Sequence, residues 1–382
     1  MTDRIPREPA TAADRRAWAG ARTGARLDAV ARSAIPEAAL PGNVENAVGA
    51  AQVPIGLAGP LRVRGEHLDE EVVVPLATTE GTLVASYSRG MRVATEAGGI
   101  KATVIERYMQ RAPVFHCPDA RAARDLGRWL AEREDDLRAA AEATTSVGRL
   151  AFVQRFVVGP KLYTRFNYTT GDAAGQNMTG RATLAACEWV RATHEDAPPF
   201  TLSGAIDTDK KHSQMNTIHS RGARVVAEFV LPDALARERL RVSAREMFRA
   251  RLTSSAGGML AGTVNNGMHA ANGLTALFLA TGQDVANVAE SHAAILYVDL
   301  TDEGDLYWSI TLPSLIVATH GGGTGLPTQA ECLDLLGCRG TGKVMRLCEI
   351  AAATVLAGEI SLAAAVLAGD WVSSHEALGR NR

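Results

Sequence analysis

The chain has 382 residues, 46 % hydrophobic and 21 % charged, the balance of a globular protein and not of a disordered one. Lys and Arg number 40 against 42 Asp and Glu, a formal charge of −2, so no overall basic field draws it to nucleic acid or anionic membrane. Aromatics are only 5 % while glycine numbers 36, which predicts a core of small side chains in which helices approach closely. The length suits one large domain or two to three smaller ones. Cys117, Cys187, Cys332, Cys338 and Cys348 are odd in number and form no CxxC pair, which argues against a disulfide framework or a structural zinc site. The start, MTDRIPREPATAADRR, lacks the apolar segment of a secretory signal. A soluble, cytoplasmic protein is expected.

Residues 1–45 are polar, rich in Arg and Ala, and end at the breaker Pro41-Gly42; one or two short helices are expected. Residues 53–78 read as extended, with a turn around Glu66 and the β-branched run Val72-Val73-Val74 before Pro75. From Glu80 the pattern turns helical and stops at Gly98-Gly99. Residues 119–143 predict a helix, with Leu126, Trp129, Leu130 and Leu137 at helical spacing. The strands LAFVQRFVVG and KLYTRFNYTT follow, then a helix over 177–193, and Pro198-Pro199 closes the stretch. RVVAEFVLP predicts a strand, 232–253 an amphipathic helix and 269–292 a central Ala-rich helix. ILYVDL and SITLPSLIVAT predict strands, and 328–336 and 341–369 helices. The apolar run 350–369 has the length of a membrane span, but Glu359 interrupts it and Ala dominates, so a buried helix is expected.

One loop mimics a nucleotide site, and one common nucleotide motif does not occur. GCRGTGKV (337–344) has phosphate-loop spacing, yet Val344 stands where a magnesium-binding Ser or Thr belongs; a helix–turn–helix connection is expected. No G-x-G-x-x-G occurs, so any nicotinamide nucleotide is bound by other means. Glu80 stands at a strand-to-helix junction, either as a partly desolvated general acid or as a first-turn Glu serving the helix dipole. Ser86, Arg89 and Arg92 recur at i, i+3, i+6, a face for phosphate oxygens or a solvated basic face. Asp209, Lys210 and Lys211 lie together, as an oxyanion-stabilising pair or a polar surface turn. His269, Asn272 and Asp284 lie along an apolar stretch, where an acid needs a partner or a reason. His375 lies near the C-terminus, where a lone histidine is ordinarily inert. GDAAGQNM (171–178) and GGGTG (321–325) are small enough for close backbone approach to a phosphate or ring.

In one order the chain carries ENAVG (45–49), PIGLAGPL (54–61), ATTEGTLVAS (77–86), GDAAGQNM (171–178), SGAIDTDKK (203–211), MHAAN (268–272), GQD (282–284), DLYWSITLPSL (305–315), GGGT (321–324) and AGEISLAAAVLAG (357–369). Together these resemble the catalytic domain of hydroxymethylglutaryl-CoA (HMG-CoA) reductases from about residue 42 onward, and the unbroken DKK resembles the class I branch. The resemblance implies an α/β (α+β) fold: a large substrate-binding domain around a central helix, with an inserted ferredoxin-like domain that binds NADP(H). The insert would be 113–201, the large domain 46–112 and 202–360, with an N-terminal helical segment over 1–45 and a helix end and mobile tail over 361–382. It also implies a homo-oligomer, dimer or tetramer, with active sites between subunits.

By matching position, the resemblance makes Glu80 the acid of the second reduction, Lys210 the oxyanion-stabilising cation, Asp284 the carboxylate linking them, and His375 the acid that protonates departing CoA thiolate. Ser86, Arg89 and Arg92 would hold CoA phosphates. Arg111, Ser203, Asp209, Lys211 and Asn272 would surround the acid end of the substrate. Asp172, Gly175, Asn177 and Met178 would contact the nicotinamide nucleotide, with Gly322 and Thr324 nearby. The implied reaction is reduction of HMG-CoA to mevalonate and free CoA by two hydride transfers from NADPH, or from NADH, without a metal. Three departures stand out. Leu252 occupies the place of a family lysine, beside Arg251. Ala205 replaces a common Asn. Thr145-Ser146, with Arg149 close by, replaces a Ser-Arg pair that reads the NADP 2′-phosphate. They leave open a divergent relative acting on another acyl-CoA and, less favoured, a CoA-binding homologue without turnover.

Overall fold

The computed structural model describes residues 4–7, 9–263 and 265–369. Helix α1 (Ala12–Thr23) starts at a capping box between Thr11 and Asp14 and stops at Gly24, φ 74°. Strands β1 (Ile55–Gly65) and β2 (Asp69–Ala77) form the expected hairpin. Its turn is tied down by the distant Glu349, whose carboxylate accepts the amides of Glu66 (2.9 Å) and His67 (3.1 Å). Helix α2 (Leu83–Glu96) follows, then the long strand β3 (Ile100–Arg111).

Residues 114–201 supply β4 (Val114–His116), α3 (Ala120–Glu132), α4 (Glu134–Glu142), β5 (Arg149–Val158), β6 (Lys161–Thr169), α5 (Gln176–Thr193) and β7 (Phe200–Thr201). The rest comprises β8 (Gly222–Leu231), α6 (Ala244–Ala261), α7 (Ala270–Thr281), β9 (Ile295–Leu300), β10 (Leu306–Leu315), α8 (Pro327–Leu335) and α9 (Val344–Leu367).

One sheet runs in the order β7-β4-β6-β3-β8-β10-β9. β3 is its hinge. Lys101–Tyr108 pair antiparallel with β8, while Met109–Arg111 pair antiparallel with β6. A single strand thus passes from a large hydrophobic cluster to a smaller one built wholly from residues between Phe115 and Phe200. Arg111 is its last residue and sits where the two clusters meet.

The small-residue composition has a specific use. α2, α7 and α9 meet around the fully buried Tyr87. A Cβ on Gly273 would lie 2.3 Å from its hydroxyl, and one on Gly358 2.4 Å from its ring. A Cβ on Gly90 would lie 1.8 Å from the Ala357 carbonyl oxygen. Tyr87 donates to the His269 carbonyl at 2.7 Å, so the crossing is also hydrogen-bonded.

α9 is apolar and long enough to cross a membrane, yet every residue from Leu347 to Ile360 is buried inside the fold. Its mid-run Glu359 accepts the amides of Met268 (2.8 Å), His269 (2.7 Å) and Ala270 (3.1 Å). The carboxylate therefore caps the start of α7, where orphan N–H groups would otherwise be buried.

Several boundaries differ from expectation. The helix expected over 119–143 breaks at Arg133 into α3 and α4. The one expected over 232–253 is interrupted: helical turns over Asp233–Leu235 and Ala236–Leu240 stop where Arg241 turns left-handed (φ 59°), and Ser243 with Glu246 forms the capping box that starts α6 at Ala244. The central helix ends at Thr281 because Gly282 adopts φ 70°. Asp284 therefore lies beyond the helix, not along it, and its carboxylate caps the next turn.

Candidate active site

The loop after β7 carries SGAIDTDKK. Three non-glycine residues in it are left-handed: Ala205 (φ 68°), Thr208 (φ 53°) and Lys210 (φ 55°). Each costs about 1 kcal/mol in an L-residue, so the loop persists only because something holds it. Beneath it lies Arg221, fully buried, donating to Asp209 at 2.8 Å and paired with buried Glu290 at 3.1 Å. Glu290 also accepts the Lys210 backbone amide. Burial pushes its carboxyl up to about 7, against the opposing pull of Arg221 and that amide.

Held this way, Lys210 places its ammonium 2.8 Å from Asp284. The Asp284 hydrogen bond and charge outweigh partial burial and raise the lysine above its usual value, so it stays a cation. Asp209 and Lys211 remain beside it, Lys211 donating to the Asp209 carbonyl at 3.0 Å.

At the other end of α7, Asn272 donates to Glu80 at 2.9 Å. Glu80 is exposed and precedes α2 by three residues, so it is neither desolvated within this chain nor a first-turn helix residue. The cause is Thr82, whose left-handed conformation (φ 76°) delays the helix to Leu83. Glu80, Leu83, Asn272, Thr275, Ala276 and Leu279 line a cleft of about 440 Å³. His269 stacks on Tyr87 at 4.7 Å, and burial lowers its pKa. No hydrogen bond joins Glu80–Asn272 to Lys210–Asp284 among the described residues. The pairs sit at opposite ends of a 12-residue helix, about 18 Å long.

The remaining candidates divide. Ser86 meets Ser361 at 3.1 Å, and Arg89 donates through Nε to the same hydroxyl at 3.1 Å, so both are tied to α9 while Arg92 is exposed. Arg111 pairs with Asp207 at 3.3 Å, and Ser203 donates to the same carboxylate at 3.3 Å. Asp172 accepts the amides of Gly342 (2.8 Å), Lys343 (2.9 Å) and Val344 (3.1 Å). The loop with phosphate-like spacing thus does hold an anion, an internal one, and Asp172 caps α9. Gly175 (φ 84°) begins α5, whose N-terminus has no side-chain cap, and a Cβ there would strike Thr170 at 2.3 Å. An uncapped 18-residue helix behind a glycine fits a nucleotide pyrophosphate. Asn177 is exposed, and Met178 packs under Gly148. Gly322 and Thr324 lie in the turn Gly322–Gly325, whose Gly323 packs on Gly282 beside Asp284. Gln176 bonds Asn287 at 3.0 Å, which docks the start of α5 near Asp284 as well.

Arg251 does not replace the missing lysine. It is buried and donates to Ser255 (3.0 Å) and the Asn266 carbonyl (2.9 Å), while Leu252 is exposed. Arg149 folds back on its own turn, donating to the Gly148 carbonyl at 2.9 Å. Thr145 accepts the Gly148 amide at 3.0 Å, and the Ser146 carbonyl accepts from Arg149. His375 lies outside the described residues. Sequence reasoning missed Asp207, Arg221 and Glu290. Asp207 stood inside SGAIDTDKK without being singled out, and an acid in the apolar stretch VAESHAAILYV was the signal for Glu290.

Two clusters joined by one strand, with a lysine–carboxylate pair beside the junction and no glycine fingerprint, define a two-part α+β scaffold. The sequence profile described as Hydroxymethylglutaryl-coenzyme A reductase matches residues 11–380. The chain belongs to this family of oxidoreductases. It is 42 % identical over 348 residues to the 3-hydroxy-3-methylglutaryl-coenzyme A reductase of Pyrococcus horikoshii, covering 88 % of this chain and 84 % of that one. The enzyme of the same name from Halobacterium salinarum is 44 % identical over 346 residues, with 88 % and 84 % covered. Among solved structures, the class II 3-hydroxy-3-methylglutaryl-CoA reductase from Streptococcus pneumoniae, bound to NADPH in open conformations, superposes with a TM-score of 0.69. It is 23 % identical and covers 85 % of this chain and 88 % of its own, a likeness of fold.

Proposed function

We propose that this protein is a soluble, cytoplasmic enzyme that reduces HMG-CoA to mevalonate and free CoA, consuming two NADPH and two protons. The observation that carries this reading is the Lys210–Asp284 pair on its braced loop, within a chain 42 % identical to named reductases. Residues 113–201 form the nucleotide-binding insert: the uncapped start of α5 behind Gly175 would hold the pyrophosphate, with Asn177, Met178, Gly322 and Thr324 near the ring. When bound, NADPH supplies the hydride for both reductions. Lys210 stabilises the oxygen anion that develops at the thioester carbonyl and again at the aldehyde. Asp284 orients the ammonium and keeps it protonated. Glu80, oriented by Asn272, protonates the aldehyde oxygen, and His375 protonates the departing thiolate. Ser86, Arg89 and Arg92 face the CoA phosphates, and Asp209 and Lys211 flank the acyl group.

The separation of the two pairs supports a homodimer. One carbonyl oxygen cannot bond groups at both ends of α7. Glu80 and Asn272 of one subunit would complete the site around Lys210, Asp284 and the nucleotide of another. Met259 and Leu260, 84 % and 91 % exposed near the end of α6, give such an interface its apolar contact.

The test is spectrophotometric. Purified protein with HMG-CoA and NADPH should oxidise two nucleotides per CoA released. Lys210→Ala should lower kcat by at least 100-fold, about 3 kcal/mol of transition-state stabilisation. No turnover with NADPH or NADH from folded protein overturns the reading.

A further inference from the structure

Asp284 is aimed at Lys210 by the turn it caps. One carboxylate oxygen accepts the Ala286 amide at 3.1 Å, and the other meets the Lys210 ammonium at 2.8 Å. Moving the turn therefore moves the second oxygen. The chain before Asp284 is fixed by buried Gln283, whose side chain donates to the Ala318 carbonyl at 2.9 Å and accepts its amide at 2.7 Å. The chain after Asp284 is fixed from another part of the molecule. Asn287 is 2 % exposed and ends the turn. Its backbone N–H donates to the Asp284 carbonyl at 2.9 Å, and its side-chain oxygen accepts the Gln176 amide at 3.0 Å.

Gln176 is the first residue of α5, whose buried face of Ala182, Ala186, Cys187 and Val190 belongs to the smaller cluster. The loop before it does not depend on the bond to Asn287. Asp172 accepts the Gly342 amide at 2.8 Å, and Arg107 donates to the carbonyls of Gly171 and Ala173, both at 2.7 Å. Losing the Gln176 amide should thus leave α5 seated while the turn loses its anchor. Asn287 is shut off from water, so solvent does not make good that hydrogen bond.

Resting on the reductase reading above, we propose that Gln176 is a positioning residue for the reduction: its side-chain amide fixes the turn that aims Asp284 at Lys210, so the geometry of the catalytic pair depends on the seating of α5. The amide is engaged by Asn287, so its role is geometry and not nucleotide binding. Asp284 is the chief group that strengthens the hold of Lys210 on its proton, with Asp209 and Glu290 adding to it. The cations nearby are Lys211, the next residue, and Arg221, held between Asp209 and Glu290. A loosened Asp284 therefore lets Lys210 lose its proton at lower pH.

The test compares the intact protein with Gln176→Met, which is of similar length and lacks the amide. With HMG-CoA and NADPH, kcat should fall about tenfold or more while both KM values stay within about twofold. The protonation of Lys210 is read without turnover, from its acylation by acetic anhydride across pH, followed by mass spectrometry of its peptide. The midpoint should fall by about half a pH unit or more in Gln176→Met. In an Asp284→Asn background the same substitution should leave that midpoint unmoved, because no carboxylate remains to be aimed. An unchanged midpoint in Gln176→Met, or an equal shift with Asp284→Asn in place, overturns the proposal. So does a loss of activity that lies wholly in KM for NADPH. If Gln176→Met does not fold, Gln176→Ala takes its place, and failure of both to fold overturns the proposal by making Gln176 a residue of the fold alone. If the intact protein reduces nothing, the reductase reading fails, and the Lys210 midpoints still decide the role of Gln176.

Discussion

Lys210 works only as well as its backbone is held. A left-handed lysine on an exposed turn would relax to a commoner conformation, so the buried Arg221–Glu290 pair positions it from below. Glu290 also gives the fold a pH signature. Its carboxyl sits at about 7 in the folded chain against 4.5 ordinarily. Between those values the folded state holds a proton that the unfolded state has lost. This group's contribution to stability therefore falls as pH rises from 4.5 to 7 and levels off above, by about 3 kcal/mol at most. Glu290→Gln should flatten that slope in urea unfolding at pH 5 and pH 8, and should lower kcat more than it alters KM. Parallel pH dependence in variant and parent would show that the pair does not titrate. The motif SGAIDTDKK was legible as a site, but its bracing was not, because Arg221 and Glu290 lie 11 and 80 residues beyond Lys210 and nothing local ties them to it.

Among elements, α9 does most of the organising. Its start is capped by Asp172 from the loop before α5, its middle caps α7 through Glu359, and its end holds Ser86 and Arg89 of α2 through Ser361. Glu349 adds the β1–β2 turn. An apolar helix with acids inside it is thus a central post with carboxylate brackets. The helices it gathers meet through glycine. Gly90→Ala would put a methyl group 1.8 Å from the Ala357 carbonyl and should destabilise the protein by about 3 kcal/mol, read as a lower urea midpoint with unchanged m. An unchanged midpoint would mean that α2 and α9 separate more easily than their packing suggests. The glycine excess was visible in composition. Which glycines mattered was not, because a close approach is a property of two elements.

At the scale of the molecule, the sheet passes through β3 from one hydrophobic cluster to the other, leaving Arg111 and the Lys210 loop at the crossing. On the dimer proposal, the two candidate pairs at opposite ends of α7 would belong to two different sites, each completed by a second chain. Met259→Asp with Leu260→Asp should yield a monomer by sedimentation that keeps its helical circular dichroism and loses turnover. A fully active monomer would reject a shared site. Much of the order of elements was readable in advance, including the β1–β2 hairpin and the strand–helix stretch up to Pro198-Pro199, but the long strand β3 that joins the two clusters was not anticipated. Apart from the break at Arg133, the misplaced boundaries fall where a cap or a left-handed residue overrides periodicity: Thr82, Arg241, Ser243 and Gly282.

The sequence by itself determined most of the elements, the family and the identity of Glu80, Lys210 and Asp284 as the groups to look for. Those follow from local pattern and from motifs whose order survives without coordinates. Only the tertiary structure decided what each charge is paired with. It turned Asp172 into a helix cap and joined Asp207 to Arg111. It put Glu80 and Lys210 at opposite ends of one helix. The reason is physical: a charge's effect depends on the few ångströms around it, and those neighbours come from remote parts of the chain.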